Sequence, residues 1–425
     1  MARKMKNSGV EWIGYIPCSW EILPIHSAFV ERREKVSDIE WEPLSVTKSG
    51  VVKQLEHAAK SNNHNDRKKV CVGDFAINSR SDRKESCGLS SMDGSVSLIN
   101  TVLIANASLY SSKYVKYLLK NYGFAEEFYR WGTGIVADLW STNFERMKNI
   151  KLPFPPLSEQ QKIADFLDEK VKEIDNAIEK TKETIELYKK YKQAIITEAV
   201  TKGLDPNVEM KDSGVEWIGK IPVDWQVKRA KNVVTEFAKG AGITKEDVDI
   251  NGDISCVRYG EIYTKYDIDF VQTFSRTSLS QINTPKYIEK GDILFSGTGE
   301  LVEEIGKNIV YLGNEPCIAG GDIIIAKHKC NASFLNYAFK SSYSQMQKSS
   351  GKSKLKVVHI SASDIGNILL AIPPACEQEA IANYLNQKID LINFINKSLN
   401  ELVPMFENYK KSLIYEYVTG KKEVK

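Results

Sequence analysis

Leu167, Val171, Ile174, Ile178, Thr181, Ile185, Tyr188, Lys192, Ile195 and Ala199 follow one another by alternate steps of four and three. That spacing is a coiled-coil seam held for more than four heptads, and a helix carrying such a stripe has to cover it with another helix. The spacing returns 218 residues later, in Leu385, Ile389, Ile392, Asn396, Leu399, Val403, Phe406, Lys410, Leu413 and Tyr417. Two equal seams in one chain are each other's simplest partners. From Leu167 to Ala199 a helix rising about 1.5 Å per residue runs roughly 50 Å. A compact insert joins the end of one such helix to the start of the next most easily when those ends are adjacent, which makes the pair antiparallel. Pro404, aligned with Glu186, lies beside the second seam. It predicts a kink there, because proline removes a backbone hydrogen bond.

The seams belong to a longer repeat. "FPPLSEQQKIADFL" (Phe154–Leu167) matches "IPPACEQEAIANYL" (Ile372–Leu385), and "YKQAIITEAVT" (Tyr191–Thr201) matches "YKKSLIYEYVT" (Tyr409–Thr419), at an unbroken offset of 218. Upstream, "SGVEWIGYIPCSW" (Ser8–Trp20) returns as "SGVEWIGKIPVDW" (Ser213–Trp225), identical at ten of thirteen positions. The Pro-Pro pairs mark helix starts, with Ser158 the expected cap of the first. Trp12, Trp20, Trp217 and Trp225 read as apolar anchors fastening each arm to the helix ends.

Between these repeats lie two unlike inserts with short β-rich runs ("SVSLINTVLIAN", "GDIIIAKH") and short helical patterns ("SKYVKYLLKNY", "FLNYAFKSSY"). Each reads as a small α+β domain. The expected division is an arm over 1–20, a first insert over 21–150, a coiled-coil helix over 151–203, a repeated arm over 204–225, a second insert over 226–370 and a second coiled-coil helix over 371–425. The fold class is α+β: two small α+β domains separated by two long antiparallel coiled-coil helices, as a pseudo-two-fold cassette repeat. The carboxyl terminus should return to the amino terminus, almost closing a ring.

Composition narrows the function. A length of 425 residues calls for two or three domains, and 42% hydrophobic with 27% charged residues is globular. No apolar run reaches the roughly 18 residues of a membrane helix, and the first residues lack the core of a signal peptide. Seven scattered cysteines without a C-x-x-C pair read as reduced thiols of a cytoplasmic protein. Five histidines without H-x-x-x-H spacing leave metal chemistry unsupported. A net charge of +3 is compatible with nucleic-acid binding only if positive charge is gathered on one face or a partner supplies some.

The paired "SGVEWIG-x-IP-x-x-W" arms, the paired "PP-x-x-EQ-x-x-IA-x-[FY]L" helix starts and the alternation with two unlike domains resemble the specificity subunit of a type I DNA restriction–modification enzyme, over the whole chain. The resemblance implies that each insert is a target-recognition domain reading half of a split, asymmetric site in double-stranded DNA. It implies that the helices set the spacing and dock two modification (methyltransferase) subunits, joined by restriction (motor-nuclease) subunits. The chain itself would be non-catalytic and bind no cofactor; S-adenosylmethionine, ATP and Mg2+ would be used by the partner subunits. The docking and seam residues would be Leu167, Val171, Ile174, Ile178, Ile185, Tyr188, Leu385, Ile389, Ile392, Leu399, Val403 and Phe406. Physical dimensions agree: base edges are distinguishable in the major groove, which recurs about every 34 Å on one side of the duplex.

Candidate DNA contacts come from basic loops. "NSRSDRKES" offers Arg80, Arg83 and Lys84, "HNDRKK" offers Arg67 and Lys68, and "RWGTG" begins at Arg130. In the second insert "KSSGKSKLK" offers Lys348, Lys352, Lys354 and Lys356 around Gly351, and Arg258 with Tyr259, Tyr263 and Tyr266 forms a possible stacking face. Such loops suit phosphates, and arginine reads guanine bidentately; solvated surface loops and half-buried tyrosines are the plainer alternatives. Lys192 and Lys410, at matching seam positions, read first as lysines snorkelling at the end of the rod, and otherwise as a register-setting pair or a contact to the methylation subunit.

Three lookalikes carry no weight. "FPPL" lacks the Asn of an adenine-methyltransferase tetrad, "SGTGE" lacks a phosphate-loop lysine, and "EMK" is matched by "KMK" in the other copy. A stand-alone DNA-binding or scaffold protein without methylation partners could use the same frame. An enzyme reading ranks third, since no cofactor or metal constellation survives inspection.

Overall fold

The structure, a computed structural model, describes residues 3–54, 65–134, 140–249, 251–352 and 357–424. Two compact units emerge. The first takes Met1–Lys182 with Glu401–Lys425, and the second takes Glu183–Asn400. Each unit therefore holds one arm, one mixed domain, the opening part of one long helix and the closing part of the other. The first arm and the closing part of the second long helix share the first unit.

In the first unit the arm is a hairpin of Met5–Asn7 against Tyr15–Pro17. Its loop is closed by Ser8 N donating to Gly14 O at 2.9 Å. Gly9 and Gly14 both take positive φ (67° and 68°), a region that glycine enters at no steric cost. Glu21–Pro24 then pairs antiparallel with Lys151–Phe154, so the mixed domain enters and leaves through adjacent strands. Inside it a four-stranded sheet runs in the order Cys87–Leu89, Phe75–Asn78, Asn100–Ala105, Phe29–Glu31. The helices Ser112–Leu118 and Tyr122–Arg130 cover it with Tyr114, Leu118, Phe124 and Phe128 buried in one core.

The second unit repeats the plan. Met210–Asp212 pairs with Lys220–Pro222, and Ser213 N donates to Gly219 O at 3.0 Å. Gln226–Arg229 pairs with Leu369–Ile372. Its main sheet has five strands, in the order Val234–Lys239, Ile323–His328, Ile293–Ser296, Asn308–Tyr311, Asp269–Phe270, and a second sheet has four. The helices Ala332–Lys340 and Ser342–Ser349 sit at the places of the two in the first unit.

The first long helix runs over Leu157–Lys202 and the second over Ala375–Val418. Within the first unit Phe166 packs on Tyr417, ring centres 4.5 Å apart, and Asp175 meets Lys410 at 2.5 Å. Numbers rise on one helix as they fall on the other, so the pair is antiparallel. Lys192 with Asn393, together with Glu377 beside Gly203, gives the same sense in the second unit. The expected seam lies on the covered face. Leu167, Ile174 and Ile178 are buried in the first unit, with Val171, Val403 and Phe406 packed against them. Leu385, Ile389 and Ile392 are buried in the second, with Tyr188 against them; Ile185 is buried and Leu399 half-buried. Each such leucine or isoleucine contributes about 1.5–3 kcal/mol when fully covered.

One local expectation is corrected. Ser158 is not the cap: the first helix starts at Leu157, and Pro156 O accepts from Glu159 N and Gln160 N at 2.9 Å. Proline, lacking an N–H, serves at that boundary without leaving a donor unpaired. The second helix contains Pro404 and runs on through it to Val418. Among the described residues no helix is long and apolar enough to cross a membrane.

Candidate nucleic-acid interface

The repeated residues acquire roles in the clasp that holds each mixed domain. Trp20 Nε1 donates to Glu159 Oε2 at 2.9 Å, and Trp225 Nε1 to Glu377 Oε2 at 2.8 Å. The buried amides Gln160 and Gln378 follow. Gln160 Oε1 accepts from Ser111 N at 2.9 Å, and its Nε2 donates to Pro155 O at 2.9 Å. Gln378 does the same with Asn331 N at 3.0 Å and Pro373 O at 2.9 Å. Each Glu-Gln pair thus ties arm, domain helix and long-helix start together. Tyr117 OH to Asp168 (2.6 Å) and Tyr337 OH to Asn386 (2.7 Å) add a matching lateral tie. The "EQ" motif was visible in the sequence; its partners were not.

The clasps differ at one tryptophan. Trp12 is 9% exposed, edge-on to Phe124, with Tyr415 OH donating to its carbonyl at 2.8 Å. Trp217 is 50% exposed, and Thr197 stands where the other copy has Tyr415. The anchor expectation therefore describes Trp12, Trp20 and Trp225, and not Trp217.

The candidate contacts separate into those presented and those enclosed. Arg80 and Arg83 project from one exposed turn and share Asp82, at 2.9 and 3.6 Å. Lys84 follows, paired with Glu126 and 5.9 Å above the Tyr129 ring. Tyr129 OH donates to Arg83 O at 3.2 Å, which holds this turn on the helix that ends at Arg130. Arg130 is exposed and pairs with Glu11 of the arm at 2.8 Å. The first unit thus brings Arg80, Arg83 and Lys84 onto the helix carrying Arg130.

Arg67 and Lys348 are corrected: neither is presented. Arg67 is 5% exposed, its guanidinium bonded to Ser95 Oγ (2.8 Å), Ser95 O (3.0 Å) and Leu44 O (3.4 Å). Lys348 is 2% exposed, its ammonium bonded to Gly306 O and Asn308 Oδ1, both at 2.9 Å. Burial drives this lysine well below its ordinary titration range, with Lys340 adding to the effect. Lys68 is held inward by Glu31 (3.0 Å) and Asn100 O (2.8 Å). Arg258 is half-buried, its backbone N donating to Glu261 Oε2 at 2.9 Å and its guanidinium 3.4 Å from the same carboxylate, while Tyr266 is core, in tilted contact with Phe270 and Phe274; Tyr259 alone of that face is exposed. Lys352 pairs with Asp364 at 3.0 Å. Lys354 and Lys356 lie outside the described residues.

A second presented turn escaped the sequence reading. Arg80 bridges Ser141, and 218 residues later Thr298 pairs with His359. The stretch after Thr298 therefore holds the place of the Arg80–Lys84 turn, but it carries exposed Glu300, Glu303 and Glu304. Matching turns of opposite charge on one frame suit different targets.

At the seam, Lys192 and Lys410 cross to the opposite long helix, at Asn393 (3.0 Å) and Asp175 (2.5 Å). The register-setting alternative describes them better than snorkelling does.

A family model for the type I restriction modification DNA specificity domain matches residues 92–187 and 222–403. The chain is 28% identical over 284 residues to the type I restriction enzyme MjaVIII specificity subunit of Methanocaldococcus jannaschii. That match covers 65% of this chain and 63% of the relative, less than two thirds of its length. A putative MjaX specificity subunit of the same organism is 24% identical, with 99% of this chain and 98% of that protein covered. A chain from a solved structure on complex assembly and conformational transition of the type I R-M system shares the fold. Its TM-score is 0.73 at 16% identity, over 96% of this chain and 99% of that one. Since the family match takes in more than half of the chain and reaches into both mixed domains, the chain belongs to the family of type I restriction–modification specificity subunits.

Proposed function

We propose that this chain is the non-catalytic reader of a type I restriction–modification complex in the cytoplasm. Each recognition domain reads one half of a bipartite, asymmetric site in double-stranded DNA. The long helices set the gap between the halves and dock two methyltransferase subunits. Adenine methylation and cleavage, with S-adenosylmethionine, ATP and Mg2+, belong to the modification and restriction subunits. The observation that carries this reading is the pair of matched clasps, Trp20–Glu159–Gln160 and Trp225–Glu377–Gln378, holding domains whose presented turns are opposite in charge. A shared frame with divergent faces is what reading two unlike half-sites needs.

Docking on the helices is supported by apolar side chains on their outer faces. In the second unit Leu187, Tyr191, Leu391 and Phe394 are exposed, Phe394 by 67%; in the first, Leu402, Met405 and Tyr409 are. Singly exposed apolar residues are ordinary, but a run along one helix marks a contact face. The test combines the chain with its neighbouring methyltransferase subunit and a duplex library, then maps methylated adenines. One split, non-palindromic motif supports the reading. Methylation by the chain alone overturns the non-catalytic assignment, and failure to assemble with any methyltransferase favours a stand-alone binding protein.

A further inference from the structure

Lys192 and Lys410 occupy matching places in the repeat, but their charges are balanced differently. Lys410 meets a carboxylate on the opposite helix, Asp175. The residue matching Asp175 is Asn393, which offers Lys192 only an amide oxygen, at 3.0 Å. The missing carboxylate comes from the recognition domain. Asp267 pairs with Lys192, and Asn393 Nδ2 donates to the same Asp267 Oδ2 at 3.1 Å. Two long helices and the domain therefore meet in one closed triangle of polar groups.

The Asp267 backbone is held as well. Lys340 Nζ, from the domain helix Ala332–Lys340, donates to Asp267 O at 2.7 Å. Two residues on, Asp269 begins the edge strand of the five-stranded sheet, so displacing Asp267 displaces that sheet. The Lys192 side chain is only 17% exposed, and a part-enclosed ammonium without a carboxylate loses solvation it does not recover. With asparagine at 393, full charge balance requires the domain to be seated with Asp267 over the seam. In the first unit the Lys410–Asp175 pair is complete on the helices alone.

We propose that Asp267 is a positioning residue: through Lys192 and Asn393 it fixes the second recognition domain at one place on the helices, and so sets the gap at which the second half-site is accepted. This rests on the two-domain reading of DNA above. The experiment uses the full chain with its methyltransferase partners and duplexes whose half-sites are separated by gaps varied one base pair at a time. The wild-type complex should methylate at one gap. Asp267→Asn should raise methylation at neighbouring gaps, relative to the preferred one, by roughly threefold, the size expected of a part-exposed ion pair, with the half-site sequences unchanged. The double variant Asp267→Asn with Asn393→Asp returns a carboxylate to Lys192 on the helix, as in the first unit. It should recover the melting temperature while keeping the broadened gap profile, an outcome that a merely stabilising role for Asp267 does not give. A narrow, wild-type profile in that stable double variant overturns the positioning role alone. A wild-type complex with no gap preference overturns the two-domain reading, and the positioning role with it.

Discussion

Trp20 and Glu159, 139 residues apart in the chain, are joined by an indole-to-carboxylate hydrogen bond of 2.9 Å, and this single contact fastens an arm to the start of a long helix. Arg3 closes on the same carboxylate at 2.5 Å, and a side chain on Gly420, at the end of the other long helix, would press on the Trp20 ring. Hydrogen bonds to charged groups contribute about 1.5–3 kcal/mol. Trp20→Phe should cost that much by calorimetry, and Trp225→Phe a similar amount. A neutral result for either would deny the clasp its structural role.

The two outer tryptophans of the arms should respond unequally. Trp12→Ala opens a cavity beside Phe124 and Tyr415 and should cost about 3–5 kcal/mol, as buried aromatics do. Trp217→Ala, at a half-exposed site, should cost about 1 kcal/mol or less. Denaturant unfolding of the two variants, side by side, reads the difference.

Basic residues that look alike in sequence should separate in DNA binding. Arg83→Ala should weaken binding to all duplexes and lower the salt slope by about 1, as loss of a phosphate contact does. Lys348→Met should leave that slope unchanged, because the ammonium is enclosed by Gly306 O and Asn308 Oδ1. A salt-dependent loss with Lys348→Met would place that lysine on the DNA after all.

Stability should rise with pH above neutrality, through Lys348, which burial holds well below its ordinary range, and through Lys340. Burial pushes the Lys340 ammonium from the ordinary 10.5 down to about 7, against the opposing pull of Asp267. The unfolded chain then binds more protons than the folded one between pH 7 and 10.5, so the cost of this group is full below 7 and fades as pH climbs through that window. Lys340→Met should flatten the rise in melting temperature between pH 7 and 9; an unaltered slope would assign the effect elsewhere.

The cassette repeat, the helix pair, its antiparallel sense and the family were legible along the chain. Those are written in local, periodic terms: a seam stepping by four and three must be buried against a like seam, and a repeated arm with a repeated helix start needs no tertiary knowledge to be seen. Tertiary structure alone decided which charges are presented. Arg67, Arg83 and Lys348 each stand in a basic stretch, yet only Arg83 reaches solvent, because sheet pairing turns Arg67 toward Ser95 and the helix Ser342–Ser349 turns Lys348 inward. The carboxylate for Lys192 was equally unreadable. Asn393 shows in the alignment as a lost charge, but its replacement, Asp267, lies 126 residues away, and only the packing of a domain against the seam brings the two together.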